Sequence, residues 1–408
     1  MKCRHCDSAL DQTLVDLGHA PLSNAYIAPQ GHADPEIYYP LKVNICTSCW
    51  LVQTEDYARP QELFQADYSY FSSTSDSWLR HARTFCDGIQ SDLDLNSASF
   101  VVEVASNDGY LLKNFLRANI PCLGIEPTAD TASAARKLGL EVLEEFFGES
   151  CAKEVSLHYG KADLVIGNNV FAHVPDINDF ANGIRELLKD DGTVTLEFPH
   201  LLRLVEHCQF DTIYHEHFSY LSLIAVNSIF DKAGLHLWDA VELPTHGGSL
   251  RVFGALKGRR EDKTDRLLNL LDTEKSFGLE SVEGFSNFQN QTTRIKNKFL
   301  EFLLDCRNKG KTIAAYGAAA KGNTLLNYAG VKKDLLPYVV DAAAAKQGKL
   351  MPGSRIPIHA PKKLFESPPD IIVILPWNIA EEVKSFLQPL AQAGVEILSL
   401  HPDIISFD

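Results

Sequence analysis

The sequence has little positive charge and no long apolar run. Its 408 residues hold 38 Lys and Arg against 53 Asp and Glu, a formal net charge of −15. Such a chain repels a polyphosphate backbone, and we find no local basic patch. No stretch reaches the roughly 18 apolar residues of a membrane span, and Cys and His stand where a signal peptide would be apolar. We therefore expect a cytoplasmic protein with a small-molecule ligand and neither a nucleic-acid nor a membrane partner.

Cysteine is too sparse for a disulfide scaffold, with nine in the whole chain. A reducing cytoplasm would keep them as thiols unless a metal binds them. Four of them form two C-x2-C pairs: Cys3 with Cys6, and Cys46 with Cys49. Two such pairs suit tetrahedral Zn²⁺, and four thiolates leave no position open for water, so we predict a structural zinc site. Because the gap between the pairs is longer than usual, His5 or His19 could replace one thiolate.

A zinc module of this kind can also bind DNA or a protein, so a zinc-dependent binding or regulatory protein is the competing class of function. The segment between the two pairs is not basic, however, and contains Asp7, Asp11, Asp16, Asp34 and Glu36. That charge disfavours nucleic acid. We expect the module to form a lid or wall over a neighbouring active site.

Length and pattern together predict three units. A chain of 408 residues exceeds one ordinary domain, and an apolar share of 45% supplies real cores. Helical and strand-like segments alternate from about residue 100 onward, which predicts α/β architecture. We expect a zinc-binding module over 1–65, a cofactor-binding core over 66–260, and a Rossmann-like domain with a helical lead-in over 261–408.

The expected core begins with a strand, a tight turn and a helix. Residues 100–105 are apolar and β-branched, residues 106–109 form the turn, and the helix begins near Tyr110. Further strands are expected near 121–125, 139–143, 162–167 and 192–198. In a doubly wound parallel sheet of this kind, ligands bind at the carboxyl ends of the strands.

Polar residues follow three of these strands. Glu126 stands about 20 residues beyond the first turn, where an acid can accept both ribose hydroxyls of an adenosine. Ala105 and Asn107 stand where glycines usually do, so the turn alone is weak evidence, and a nicotinamide dehydrogenase or an α/β domain without a cofactor could share it. Residues 168–176 separate these alternatives, because they resemble the fourth-strand loop of class I methyltransferases. The expected S-adenosylmethionine site comprises Glu103, Ala105, Asn107, Gly109, Glu126, Pro127, Asn168 and Asn169.

The motifs together resemble the zinc-containing C-methyltransferases of unusual deoxysugar biosynthesis. The resemblance rests on the four cysteines and on residues 101–112, 124–128, 168–176 and 214–220. It continues through 317–323, 346–349 and 375–378, and so covers nearly the whole chain in the right order. It implies a Rossmann-like class I methyltransferase domain between a zinc module and a third, Rossmann-like domain. It further implies methyl transfer to C3 of a thymidine-diphosphate-linked 4-keto-deoxysugar, with inversion at that carbon.

Carbon is a poor nucleophile until a proton α to a carbonyl is removed, so the site needs a base and a donor to the enolate oxygen. Residues 214–217 follow the fifth strand and should lie over its carboxyl end. We expect His217 to be the base, with Tyr214 and Glu216 orienting the sugar or the enolate and His215 as the fallback. Two histidines two residues apart could instead bind a catalytic metal or cap a strand. The resemblance adds His173, Tyr68 and Tyr70 as residues that contact the sugar.

The third domain should begin with a strand over 312–316 and a helix that carries Lys321 and Asn323. Its N-terminus offers backbone N–H groups and one cation to the diphosphate, although the alanines before Lys321 also suit a plain helix start. Residues 246–253 predict a turn and an edge strand of the first α/β sheet. The runner-up activity is O- or N-methyl transfer to a nucleotide sugar, and we expect a monomer or weak dimer.

Overall fold

A computed structural model of the chain describes residues 1–31, 34–57, 71–260 and 262–400, together with the backbone of 404–407. Within these ranges the α/β fold expected from the sequence is confirmed, as three sheets with helices. None of the helices described is long and apolar enough to span a bilayer.

The elements are numbered in chain order. The strands are β1 (Gln12–Ala20), β2 (Tyr39–Ile45), β3 (Val52–Thr54), β4 (Val101–Val104), β5 (Cys122–Ile125), β6 (Glu141–Leu143), β7 (Ala162–Asn168), β8 (Leu188–Pro199), β9 (Ser219–Tyr220), β10 (Leu235–Leu243), β11 (Ser249–Leu256), β12 (Ile313–Tyr316), β13 (Val339–Val340), β14 (Ile358–His359), β15 (Ile371–Ile374), β16 (Glu396–Leu400) and β17 (Ile404–Phe407). The α-helices are α1 (Asp76–Asp92), α2 (Leu112–Arg117), α3 (Ala129–Lys137), α4 (Glu149–Tyr159), α5 (Ile177–Leu187), α6 (Leu201–Glu206), α7 (Leu223–Ala233), α8 (Asp265–Phe277), α9 (Phe288–Asn308), α10 (Ala320–Tyr328), α11 (Lys362–Glu366) and α12 (Ala380–Gln392).

The first sheet is small and antiparallel, in the order β1-β2-β3-β9. Its first three strands lie in the predicted zinc module. The fourth, β9, comes from residues 219–220, far along the chain, and pairs with β3. The expected boundary at residue 65 falls within 58–70, outside the described residues.

The second sheet is the expected core, with the order β10-β11-β8-β7-β4-β5-β6. Strands β4 to β8 are parallel, and the nearly continuous burial of β4, β5 and β7 is typical of strands covered by helices on both faces. Helices α1 to α3 contribute to one apolar cluster, and helices α4, α5 and α7 to another. Strand order reverses between β4 and β7, and a ligand crevice is expected at their carboxyl ends.

The expectation of an edge strand at 250–253 is wrong. That segment lies in β11, which is paired on both sides, antiparallel to β8 and to β10. Its residues are nearly all buried, as an interior strand requires, whereas β10 alternates between buried and partly exposed positions and forms the edge.

The third sheet has the order β14-β13-β12-β15-β16-β17 and is parallel except for β17. The expected strand and helix at its start are β12 and α10, and the helical lead-in is α8 and α9. One face of the sheet packs against α12. The other face joins an apolar cluster shared with β1 and β2, α9 and the 201–213 segment. Residues from all three units therefore meet in one core.

Candidate active site

The four cysteines come together as predicted. The Sγ atoms of Cys3 and Cys49 are 3.6 Å apart, those of Cys6 and Cys46 are 3.5 Å apart, and all four lie within 4.8 Å of one another. A tetrahedron with Zn–S bonds of about 2.3 Å has S–S edges of about 3.8 Å, so the quartet fits Zn²⁺. His5 is not needed as a ligand, because its ring nitrogens bind Asn178 Oδ1 at 2.7 Å and Ser228 Oγ at 3.1 Å.

The turn after β4 follows the backbone path of a glycine-rich loop without its glycines. Ala105 and Asn107 have φ of 56° and 51°, and Gly109 has φ of 78°. These are left-handed values that non-glycine residues rarely adopt. A Cβ on Gly109 would lie 2.4 Å from Leu140 Cδ1 and 3.2 Å from Ala135 Cβ on α3, so the close approach of α3 together with the positive φ favours glycine there.

Several buried polar atoms around this turn have no hydrogen-bond partner among the described residues: Glu103 Oε2, Ser106 Oγ, Asp108 Oδ1, and both Oδ1 and Nδ2 of Asn168. Such atoms cost free energy unless a ligand satisfies them. Burial, with Glu126 and Asp108 nearby, raises the pKa of Glu103. The amino, carboxylate and hydroxyl groups of S-adenosylmethionine can supply the missing partners, so the cradle fits the cofactor.

The second strand ends in the expected acid. Glu126 accepts hydrogen bonds from Asn107 N and Thr128 N, both at 2.9 Å, which fixes its carboxylate beside the first turn. Each oxygen retains a lone pair for a ribose hydroxyl. Pro127 follows it at the entrance to α3, and Asn169, with φ of 53°, follows β7 on the other side of the crevice.

An aromatic group that the sequence analysis missed covers this crevice. Trp78 and His81, on the first turns of α1, stack with ring centroids 4.9 Å apart. Trp78 also lies 6.1 Å from the ring of Tyr110 and 5.2 Å from that of His246. The spacing of three residues on one helix face was visible in the sequence, but nothing in it indicated which sheet edge that face would meet.

The end of β8 carries a buried ion-pair network. Glu197 accepts hydrogen bonds from His81 Nε2 at 2.9 Å and from an Arg251 guanidinium nitrogen at 2.5 Å. Burial opposes ionisation of Glu197, but His81 and Arg251 outweigh it and hold its pKa below the usual value. The network fixes α1 over the sheet edge, beside the Asn169 amide, whose Nδ2 is 3.5 Å from His246 Nε2.

Two imidazoles face each other at the centre of the site. The rings of His173 and His217 are 4.7 Å apart in an edge contact. His217 Nδ1 lies 3.0 Å from the Thr212 carbonyl oxygen, and His173 Nδ1 lies 2.8 Å from that of Glu216. Because a carbonyl only accepts, each Nδ1 carries the proton and each Nε2 carries the lone pair.

Burial lowers the pKa of both imidazoles, that of His173 to about 4 and that of His217 well below its usual value. Both rings are therefore neutral near pH 7. Tyr214 lies with its ring 4.0 Å from that of His217. The structure thus brings these three rings together, and their catalytic roles stay a prediction.

The neighbouring residues of the 214–217 segment point differently. The Glu216 carboxylate is buried, accepts Asn24 Nδ2 at 3.0 Å through Oε1, and has no described partner for Oε2. Burial raises its pKa. His215 faces the zinc module instead, with Nε2 3.1 Å from the Pro40 carbonyl oxygen, and does not join the imidazole pair. Among the described residues, only the cysteine quartet forms a group of three or more possible ligands close enough to share one metal ion.

The third domain contributes a cation to the same chamber. Lys321 Nζ lies 4.2 Å from the ring centroid of Trp377 and donates to Asn378 Oδ1 at 2.9 Å. Trp377 Nε1 donates to Asp211 Oδ2 at 2.6 Å. Burial lowers the pKa of Lys321 to about 8, although Asp211 opposes this, and its charge acts on His217. Lys321 therefore lies in a polar cluster with Trp377, Asn378 and Asp211.

Three further residues were predicted to contact the substrate. Asn323 is buried in α10, donates to the Ser23 carbonyl oxygen at 2.5 Å, and has no partner for Oδ1 among the residues described. Tyr68 and Tyr70 lie outside the described residues.

Known proteins match the chain along its whole length. Residues 3–64 match a zinc binding domain, 78–240 a methyltransferase domain, and 244–402 a C-methyltransferase C-terminal domain. The C-methyltransferase NovU of Streptomyces niveus is 34% identical over 393 residues, which cover 95% of this chain and 93% of NovU. These matches favour C-methyl transfer over O- or N-methyl transfer and over a zinc-dependent binding protein.

Solved structures are more distant. The PH0226 protein of Pyrococcus horikoshii OT3 is 14% identical, covers 46% of this chain and 95% of its own, and has a TM-score of 0.38. Magnesium protoporphyrin IX methyltransferase (ChlM) of Synechocystis PCC 6803, solved with bound SAH, is 13% identical, covers 44% and 83%, and has a TM-score of 0.35. Scores this low carry no weight beside the matches along the whole chain. On those matches the chain belongs to the C-methyltransferase family of NovU and is an S-adenosylmethionine-dependent C-methyltransferase with an N-terminal zinc-binding domain.

Proposed function

We propose that the enzyme methylates C3 of a thymidine-diphosphate-linked 4-keto-deoxysugar through an enolate that His217 generates. The observation that carries this proposal is the neutral imidazole pair at the carboxyl edge of the second sheet. The sugar itself is inferred from the motif resemblance of the sequence. A keto group beside C3 makes the C3–H acidic, which is the property that a base of this kind requires.

S-adenosylmethionine, when bound, supplies an electrophilic methyl group on a positively charged sulfur. Glu103, the turn from Asn107 to Gly109, Glu126 and Asn168 would hold it. Glu103, Asp108 and Asn168 offer buried polar atoms without a partner among the described residues, and Asn107 and Gly109 supply the left-handed backbone of the turn. The rings of Trp78 and His81 on α1 stack beside this edge.

The protein's own residues then account for proton removal. His217 Nε2 accepts the C3 proton, and the Thr212 carbonyl, which binds Nδ1–H, stabilises the imidazolium that forms. We assign the Tyr214 hydroxyl to the enolate oxygen. The neighbouring His173, neutral and held by the Glu216 carbonyl, orients the sugar ring. Because burial keeps both imidazoles neutral at neutral pH, the lone pair on His217 Nε2 stays available.

Lys321 is proposed to bind the sugar nucleotide. Its ammonium group acts on His217 and on Asp211, so its charge also offsets that of the enolate. Asn323, Tyr68 and Tyr70 are proposed as further substrate contacts. His215 is proposed to support substrate binding indirectly, by anchoring residues 214–217 to Pro40.

Proton exchange tests the proposal directly. Incubation of the enzyme with a thymidine-diphosphate 4-keto-6-deoxysugar in D₂O, without S-adenosylmethionine, should place deuterium at C3, and the His217→Gln variant should not catalyse this exchange. A panel of nucleotide keto-sugars with isotopically labelled methyl donor, read by mass spectrometry, then identifies the acceptor and the methylated carbon. Methyl transfer without C3 exchange in every sugar of the panel would refute the enolate route.

A further inference from the structure

Residues 214–217, the proposed catalytic segment, lead into β9, which is a strand of the zinc module's sheet. β9 begins two residues after His217 and pairs antiparallel with β3, with Val52 opposite Tyr220 and Gln53 opposite Ser219. Gln53 also reaches the first cysteine pair, because its Nε2 donates to Cys3 Sγ at 3.2 Å and its Oε1 accepts Arg4 N at 2.9 Å. The strand that follows the proposed base therefore belongs to the sheet of the zinc module.

Arg4, between the two cysteines of the first pair, reaches across to the site. Its side chain is only 6% exposed. One guanidinium nitrogen donates to the Pro175 carbonyl oxygen at 2.8 Å, and the other donates to the Thr54 carbonyl oxygen at 2.9 Å and to Asp56 at 2.7 Å. Its guanidinium carbon also lies 5.3 Å from the Phe218 ring centroid. Arg4 thus joins the loop after His173 to the strand beside His217.

Thr54 makes the second connection, at the end of β3. Its hydroxyl donates to the His217 carbonyl oxygen at 3.0 Å, and its backbone N–H donates to the Phe218 carbonyl oxygen at 3.1 Å. Phe218 N in turn donates to the Ala172 carbonyl oxygen at 2.8 Å. The backbone on both sides of the imidazole pair is therefore fixed to the zinc module.

We propose that Arg4 and Thr54 are positioning residues for methyl transfer, which set the distance and angle between His173 and His217. The hydrogen bonds of their side chains run to backbone carbonyls and to Asp56, and the buried Nε of Arg4 has no partner among the described residues. They act through the two imidazoles, so the proposal rests on the proposed function. A displacement of about 1 Å at a reacting group can cost about 10²-fold in rate.

Two substitutions test it. Thr54→Val removes the hydroxyl and keeps the shape of the side chain, whereas Thr54→Ser keeps the hydroxyl and removes the methyl group. Arg4→Met keeps much of the apolar stem and removes the guanidinium. The matched control is Asp56→Asn, since Asp56 is 51% exposed and binds the same guanidinium without touching the catalytic segment.

We expect Arg4→Met to lower kcat by up to about 10²-fold and Thr54→Val by about tenfold, with zinc content by metal analysis and S-adenosylmethionine affinity by calorimetry unchanged. Thr54→Ser should retain most of the wild-type kcat, unlike Thr54→Val, and Asp56→Asn should behave as wild type. The activity-independent readout is the ¹⁵N-histidine NMR spectrum, in which the His217 Nδ1–H signal should shift or broaden in Arg4→Met and Thr54→Val.

Unchanged kcat and unchanged His217 signals in both zinc-loaded variants would overturn the proposal. So would an equal loss of kcat and of cofactor affinity, because that pattern indicates general destabilisation. Failure of the base assignment itself is recognised separately, since His217→Gln would then retain C3 exchange while the NMR comparison still reports whether Arg4 and Thr54 hold the ring.

Discussion

Replacing His217 by glutamine removes the proposed base while leaving an amide that can donate to the Thr212 carbonyl oxygen, which lies 3.0 Å from His217 Nδ1. General-base catalysis contributes about 10²–10⁴-fold to a rate. We therefore expect turnover to fall by about 10³-fold, which corresponds to about 4 kcal/mol in the activation barrier. Cofactor affinity should be unchanged, because the cradle is built on β4, β5 and β7.

Single-turnover transfer of a labelled methyl group, with calorimetry of S-adenosylmethionine binding, measures both quantities. His207→Gln is the control, since that side chain is 49% exposed and lies outside the imidazole pair. Near-wild-type turnover in His217→Gln would refute the assignment. Loss of cofactor binding in the same variant would show that the substitution disturbs the sheet edge rather than the chemistry.

The structure makes four further predictions. Burial lowers the pKa of His173 to about 4, so as the pH falls the unfolded chain protonates this imidazole before the folded chain does. The free energy of unfolding should therefore be unaffected by this group above about pH 6.5 and should fall by roughly 3 kcal/mol between there and about pH 4. Denaturant titrations of His173→Gln should show a flatter dependence on pH. Arg251→Met leaves the carboxylate of Glu197, 0% exposed, without its main counter-charge, and should lower the free energy of unfolding by about 3 kcal/mol, with part recovered in the double variant with Glu197→Gln. Cys46→Ser should reduce bound zinc per chain and lower Tm, because zinc binding contributes to folding of the first sheet; an unchanged Tm would contradict this. Lys321→Met should raise KM for the sugar nucleotide by about tenfold, the value of one hydrogen bond to a charged group, and leave the KM for S-adenosylmethionine unchanged.

The cofactor edge could be predicted from the sequence because its signals are local. A buried strand, a turn and an acid about 20 residues on specify one βαβ unit, and chain connectivity then places Glu103, Glu126 and Asn168 at the same edge. The cysteine quartet was equally visible, since each pair lies within one turn. Positive φ at Ala105 and Asn107 shows that the turn takes a left-handed backbone at positions where glycines are usual.

Contacts between distant segments could not be predicted in this way. β9 has only two residues, too few for any periodicity, and its partner β3 lies more than 160 positions away in the sequence. The Glu197 network likewise joins residues from α1 and β11, and neither His81 nor Arg251 carries a local signal of its partner. The place of β11 inside the sheet depended on recognising β10, whose mixed polar pattern is typical of an edge.

The apolar cluster shared by the zinc module, the 201–213 segment and the third domain bears on protein engineering. A C-terminal domain transplanted from a relative, in order to change the acceptor, would bring that relative's apolar side chains into this cluster. They would then pack against host side chains whose sizes and shapes do not match them. Mismatched interiors lose several kcal/mol through cavities or steric overlap. Chimeras should therefore exchange the facing residues of β1, β2 and α9 together with the transplanted portion, or vary acceptor contacts one side chain at a time.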